Sequence, residues 1–115
     1  VKGAAIDLGS NSFICYVFEN KNGKLIALED QIVLVRLSEG VDQTKKLSHA
    51  ALLRSENAFQ SFENLFIKHG VSKIRAVATS AARDAENQKE FLDLALKYKI
   101  PVQIITGEEE ANLTF

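Results

Sequence analysis

A break within the first eighteen residues constrains the fold more than any other feature. Ala4-Ala5-Ile6 runs into Asp7-Leu8-Gly9-Ser10-Asn11-Ser12, a cluster rich in turn formers, and residues 13–18 then resume as an unbroken β-branched and aromatic run. That pattern predicts strand, tight turn, strand. Asn20-Lys21-Asn22-Gly23 is a second turn signal. Residues 25–28 and 32–35 then extend the meander into a third long strand, with the charged pair Glu29-Asp30 expected at a bend or bulge.

From Ser48 onward the apolar period changes. Leu52, Phe59, Phe62 and Phe66 recur at helical spacing between an N-cap candidate, Ser48, and a C-cap candidate, Gly70. Residues 73–78 read as a short strand and 79–85 as a loop or helical turn. Asn87 with Glu90 three residues on resembles a capping box opening a helix over 88–98. Pro101, the only proline, ends helical geometry, so 102–105 reads as a fifth strand. Thr106 with Glu109 repeats the capping-box spacing and predicts a last helix from Gly107, still running at Phe115. The order βββαβαβα implies an α/β fold: a five-stranded mixed sheet, later strands parallel, helices on both faces. Ligands of such sheets bind beyond the carboxyl ends of the strands, where the first turn and the loops after the fourth and fifth strands converge.

Composition narrows the function classes. At 115 residues the chain fits one domain, and 14 Lys+Arg against 15 Asp+Glu give no basic field to draw in nucleic acid. The longest apolar run, residues 13–18, is far short of the roughly 20 residues of a membrane-spanning helix. Neither nucleic acid nor membrane is expected as a partner. One cysteine, Cys15, suits a reducing compartment, and cytoplasm is the expected location. It sits inside an apolar strand and reads as a packed thiol. His49 and His69 lie at opposite ends of one helix without metal-ligand spacing. A start at Val1 rather than Met, and an unfinished helix at Phe115, lead us to expect that both ends are cuts and that a partner domain is missing.

Three clusters can carry chemistry. In the first, Gly9 permits close backbone approach, and amides of the turn with the Ser10 and Ser12 hydroxyls can hold phosphate oxygens, while Asp7 ends a strand where it can hold a hydrated Mg²⁺. The alternative is a polar hairpin whose Asn and Ser bond their own backbone. In the second, Thr79, Ser80 and Arg83 can grip a phosphate, Arg83 through paired charge-assisted bonds. The alternative is an exposed Arg83 pairing with Asp84 or Glu86. In the third, a carboxylate among Glu108, Glu109 and Glu110 can activate a water, although acidic residues in a first helical turn also stabilise the helix dipole.

Together these segments resemble the exopolyphosphatase and guanosine pentaphosphate phosphatase family, within the actin/Hsp70/sugar-kinase superfamily. Ala4-Ala5-Ile6-Asp7-Leu8-Gly9-Ser10-Asn11-Ser12-Phe13 is similar to its opening phosphate motif, and Val35-Arg36-Leu37-Ser38-Glu39-Gly40 to its third-strand signature, with Ser38 in place of a common Gly. Ala78-Thr79-Ser80-Ala81-Ala82-Arg83-Asp84-Ala85-Glu86-Asn87 is similar to its Arg-bearing loop, and Ile105-Thr106-Gly107-Glu108-Glu109-Glu110-Ala111 to the start of its catalytic helix. The resemblance implies a ribonuclease H-like, actin-type lobe spanning 1–115, the N-terminal half of a two-lobed phosphatase whose second lobe is absent. It implies Glu110 as the catalytic base, Arg83 as the phosphate-binding arginine, Asn11 as a phosphate-loop contact, and Asp7 beside Mg²⁺ or another divalent cation. The implied substrates are inorganic polyphosphate and guanosine pentaphosphate, with the fragment alone inactive or nearly so. A homodimer of the full-length parent is compatible with it. Two rival readings remain at this stage: an ATP-dependent kinase lobe of the same superfamily, and a non-catalytic domain binding guanosine tetra- or pentaphosphate.

Overall fold

Alternation in the first two apolar runs fixes how they pair. In the computed structural model, which describes residues 1–106 and leaves the Ser80 side chain aside, β1 (Lys2–Leu8) and β2 (Ser12–Lys21) run antiparallel from Lys2 opposite Glu19 to Leu8 opposite Phe13. Ala4, Ile6 and Leu8 of β1 and Phe13, Cys15 and Val17 of β2 are all buried on one side of the sheet. Asp7 and Leu8 therefore belong to the strand, and the turn shrinks to residues 9–11. The next hairpin turns at Asn22 and Gly23, both at positive φ (55° and 82°), the conformation that matches strand twist in a two-residue connection.

β3 (Lys24–Leu34) is continuous, and the expected irregularity is a bulge one residue earlier than the charged pair. Val17 faces Glu29 while Phe18 faces Ala27, so Leu28 is the extra residue. This keeps Glu29 on the helix side, where its carboxylate meets Lys68 Nζ at 3.0 Å and His69 Nε2 at 2.7 Å.

After a four-residue helix, α1 (Val41–Thr44), which the sequence reading did not foresee, comes α2 (His49–His69). Its caps are the expected ones: Ser48 Oγ accepts from the Ala51 N–H at 3.0 Å, and Gly70 sits at φ 66° with its N–H on the Ile67 and Phe66 carbonyls. β4 (Lys73–Ala78), α3 (Ser80–Asp84), α4 (Gln88–Lys97) and β5 (Val102–Ile104) follow. The sheet order is β3-β2-β1-β4-β5, with β4 parallel to β1 and β5 parallel to β4. Each parallel pairing requires a crossover, which α2 and then α3–α4 supply.

Phe13, Phe59 and Phe91, one each from β2, α2 and α4, are fully buried with ring centroids 5.6 to 6.1 Å apart. Both long helices thus pack on the same face. On the other face Tyr16, Leu25, Ile32 and Leu34 are 42 to 65% exposed. The helix expected from Gly107 lies outside the described residues. Among the described residues no helix is long and apolar enough to cross a membrane.

The capping box expected at Asn87 does not form. Its Oδ1 accepts from the Leu47 N–H at 2.8 Å, and its Nδ2 donates to the Leu47 carbonyl at 3.0 Å and to Glu90 Oε2 at 3.0 Å. An amide side chain matches the N–H and carbonyl of one residue donor for acceptor, and Leu47 is buried, so this long-range pairing displaces the local cap.

Candidate functional site

Register brings the three expected loops to one row. Leu8, the last residue of β1, pairs with Ala78, the last of β4, and Ala78 pairs with Ile104, the last of β5. The Ile105 N–H continues this row onto the Ala78 carbonyl at 3.0 Å. The turn at 9–11, the start of α3 and the chain leaving β5 therefore depart from one edge of the sheet.

In the first turn the Gly9 N–H closes the hairpin onto the Ser12 carbonyl at 3.1 Å, and a Cβ on Gly9 would stand 3.0 Å from that oxygen. The close approach Gly9 permits is thus to its own hairpin. Ser10 is half-buried and Asn11 exposed. Their carbonyls are bound by the segment after β3: Ser10 O accepts from Ser38 N at 3.1 Å, and Asn11 O from Val35 N at 2.9 Å and Arg36 N at 2.8 Å. Ser38, where a Gly is common in the resembling family, does not adopt the positive φ that would require one.

Thr79, 6% exposed, opens α3, and its carbonyl accepts from the Arg83 N–H at 2.9 Å. Ala81, Ala82 and Ala85 bury the inner side of this short helix. The Arg83 guanidinium is a third exposed; its Nε donates to Asp84 Oδ1 at 3.3 Å and its Nη1 to the Ile105 carbonyl at 3.3 Å. The Asp84 pairing is the alternative the sequence left open, and such an exposed pair is worth only about 0–1 kcal/mol. The Ile105 contact joins the second loop to the third. Gln88, which the sequence reading passed over, donates from Nε2 to the Ala82 and Arg83 carbonyls at 3.2 and 3.3 Å and so ends α3.

Ser10 and Ser38 share a pocket of about 320 Å³ with Asp42, Lys45 and Asp84, so the first turn and α3 border one cavity. Asp7 does not line it. Asp7 is half-buried and lines a larger hollow of about 580 Å³ on the open face of the sheet with Tyr16 and Arg75. Among the described residues no three His, Cys, Asp or Glu side chains gather as a metal cage. One carboxylate beside an open hollow fits Mg²⁺, which keeps several waters and is typically held by one or two carboxylates with substrate phosphates. Glu110 lies outside the described residues, of which Thr106 is the last.

The perturbed groups lie elsewhere. Burial pushes the Cys15 thiol up to about 12, as expected of a packed, inert cysteine. The Tyr98 hydroxyl, 2.8 Å from Glu56, and then Lys97 hold the Glu56 carboxyl below its usual value, a clasp between α2 and α4.

The sequence model of the Ppx/GppA phosphatase family matches residues 16–115. Among solved structures, an exopolyphosphatase-like protein is 33% identical, with a TM-score of 0.89 over 96% of this chain and 34% of that one. A Ppx/GppA family member from Aquifex aeolicus is 29% identical, with a TM-score of 0.89 over 96% of this chain and 36% of that one. An exopolyphosphatase from Cytophaga hutchinsonii is 25% identical, with a TM-score of 0.91 and the same coverage, 96% and 36%. The chain spans roughly a third of the length of these structures.

Proposed function

Because the chain belongs to the Ppx/GppA phosphatase family, we propose that residues 1–115 are the N-terminal lobe of a two-lobed phosphoanhydride hydrolase. Its substrates on this reading are inorganic polyphosphate, which loses a terminal phosphate, and guanosine pentaphosphate, which loses its 5′ γ-phosphate. The observation that carries the reading is the single row Leu8–Ala78–Ile104, from which all three polar loops depart, with Arg83 bonded across to Ile105.

Phosphoryl transfer asks a protein mainly to position the reactants and neutralise charge. Ser10, Asn11 and Ser12 offer hydroxyl and amide groups at the end of β1, and Thr79 and Ser80 at the end of β4. With Gly9's N–H closing the hairpin, oxyanion contacts from the first turn fall to Ser10 and Asn11. Arg83 would turn its guanidinium from Asp84 to the phosphoryl oxygens, an exchange made easy by the weakness of the exposed pair. Asp7 would hold Mg²⁺ or another divalent cation, whose chemistry there is neutralisation of phosphate charge. Glu110, a few residues past the Arg83–Ile105 contact, takes the proton of the attacking water. Alone, the lobe is expected to release little or no phosphate, since the facing lobe completes the site.

The test is phosphate release by the full-length protein from polyphosphate and from guanosine pentaphosphate. Turnover of at least one substrate is expected, and Glu110→Gln should lower it by roughly 10² to 10⁴ if the carboxylate is a general base. A Gln variant as fast as wild type, or a full-length protein inert toward both substrates, would refute the assignment. Nucleotide consumption that requires an acceptor would point to the kinase alternative.

A further inference from the structure

Three amides grip the tip of the first turn through its carbonyls, and the segment that supplies them is itself held from behind. Arg54, a half-buried residue of α2, donates from Nε to the Val35 carbonyl at 2.6 Å, and from Nη2 to the Arg36 carbonyl and to Glu39 Oε1, each at 3.3 Å. The amides of the same two residues, Val35 and Arg36, both donate to Asn11 O. The peptide joining Val35 to Arg36 thus links the two ends: its carbonyl accepts from Arg54 Nε and its N–H donates to Asn11 O, one continuous relay from the helix to the turn.

The relay includes a conformation that a chain adopts only when held. Arg36 stands at φ 51°, in the left-handed region that side-chain-bearing residues avoid. That conformation governs the two peptide groups flanking the Arg36 Cα and lets their carbonyls, those of Val35 and Arg36, meet one guanidinium, where an extended chain would send them to opposite sides. The planar fork of an arginine suits two successive carbonyls; a lysine ammonium provides a point charge without fixed directions.

We propose that Arg54 is a positioning residue for the phosphate site: it fixes the Val35–Arg36 peptides, and through them the Ser10–Asn11 tip, from a helix that itself never reaches the substrate. This rests on the functional reading above, in which that tip contacts phosphate. Arg54 holds no substrate atom, so its loss acts through turn placement. A misplacement of about 1 Å at such a site lowers rate by on the order of 10²-fold.

The experiment takes the full-length protein as wild type, Arg54→Lys, Arg54→Ala and Glu39→Gln. Backbone amide exchange is measured without substrate, and kcat and KM are measured with tripolyphosphate. Arg54→Lys and Arg54→Ala should speed exchange at Val35 and Arg36 by about tenfold, the equivalent of one lost charge-assisted hydrogen bond, while Phe59 and Phe62 in the same helix exchange as in wild type. Their kcat/KM should fall by about 10- to 10²-fold, and guanidinium added to Arg54→Ala should recover part of it. Glu39→Gln, which removes the ion pair and leaves both carbonyl bonds, should stay within about twofold of wild type, less than the effect of one exposed ion pair. Unchanged exchange at Val35 and Arg36, faster exchange with unaltered kinetics, or a Glu39→Gln variant as impaired as Arg54→Lys would each overturn the assignment. A wild type without phosphatase activity refutes the functional reading, and the exchange arm then still decides whether Arg54 holds the segment.

Discussion

Replacing Asn87 separates two physical accounts of how the Arg83 loop is held. If Asn87 were an N-cap, Asp or Ser in its place would preserve stability, since all three serve that position about equally. The observed role is different: one amide side chain pairs with both the N–H and the carbonyl of Leu47, 40 residues away, at 2.8 and 3.0 Å. Asn87→Ala deletes two such bonds, each worth about 0.5–1.5 kcal/mol net, and strands a buried peptide group at about 1–3 kcal/mol. Allowing for overlap between those terms, the expected loss is about 2–3 kcal/mol. Asn87→Asp should do no better than Ala, because a carboxylate cannot donate to the Leu47 carbonyl and also faces Glu90. In urea unfolding, at a slope of about 1–3 kcal/mol per molar, the midpoint should fall by about 1 M for Ala and for Asp alike. Asp or Ser variants within about 0.5 kcal/mol of wild type, the range of an ordinary surface substitution, would refute the clip and restore the cap.

Phe59→Ala should cost about 3–5 kcal/mol, since this fully buried ring touches both Phe13 and Phe91 and its loss opens a cavity where sheet and helices meet; calorimetry or denaturant unfolding would measure it. The Glu29 carboxyl is held below its ordinary value, first by the His69 hydrogen bond and then by Lys68. A lowered folded-state pKa stabilises the fold above the unfolded value of about 4.5, and the contribution is lost as pH falls through the lowered value. Glu29→Gln should therefore flatten the acid limb of the stability–pH curve, whereas an unaltered acid limb would contradict the ion-pair reading. Cys15, fully buried with its thiol pushed up to about 12, should resist a thiol-specific reagent in native buffer and react at once in denaturant. Rapid native labelling would mean that the Phe13–Val17 strand opens far more readily than its packing implies.

What the sequence revealed, and what it withheld, follows from the range of the forces involved. α2 was legible at both ends because Ser48 and Gly70 act on amides and carbonyls within a turn of themselves. The first two hairpins were legible because turn residues and alternation are local too. The bulge at Leu28 was misplaced by one residue, since its position depends on holding Glu29 against Lys68 and His69, some 40 positions away. α1 was missed because four residues between Gly40 and Lys45, both at positive φ, leave no periodic signature. Asn87 was read as a cap for the same reason: its chosen partner is distant in sequence. At the candidate site, turn and hydroxyl-rich motifs singled out three loops, and the strand order implied that these would leave one edge of the sheet. Which groups within them are committed to the scaffold could be seen only in the structure. Gly9's amide, the carbonyls of Ser10 and Asn11, and Arg83's bond to Ile105 are examples. The signals for Gln88 and Arg54 were weak, because an isolated Gln or Arg on a helix is ordinarily a solvated side chain.

The claim on which the account turns is that the Gly9–Ser12 turn and the Thr79–Arg83 segment grip one and the same phosphate group. A titration of the full-length protein with inorganic pyrophosphate, followed at individual backbone amides, tests it directly. The account predicts that Ser10, Asn11 and Arg83 respond together along one binding curve. Response of one segment without the other, or two separate curves, would contradict it.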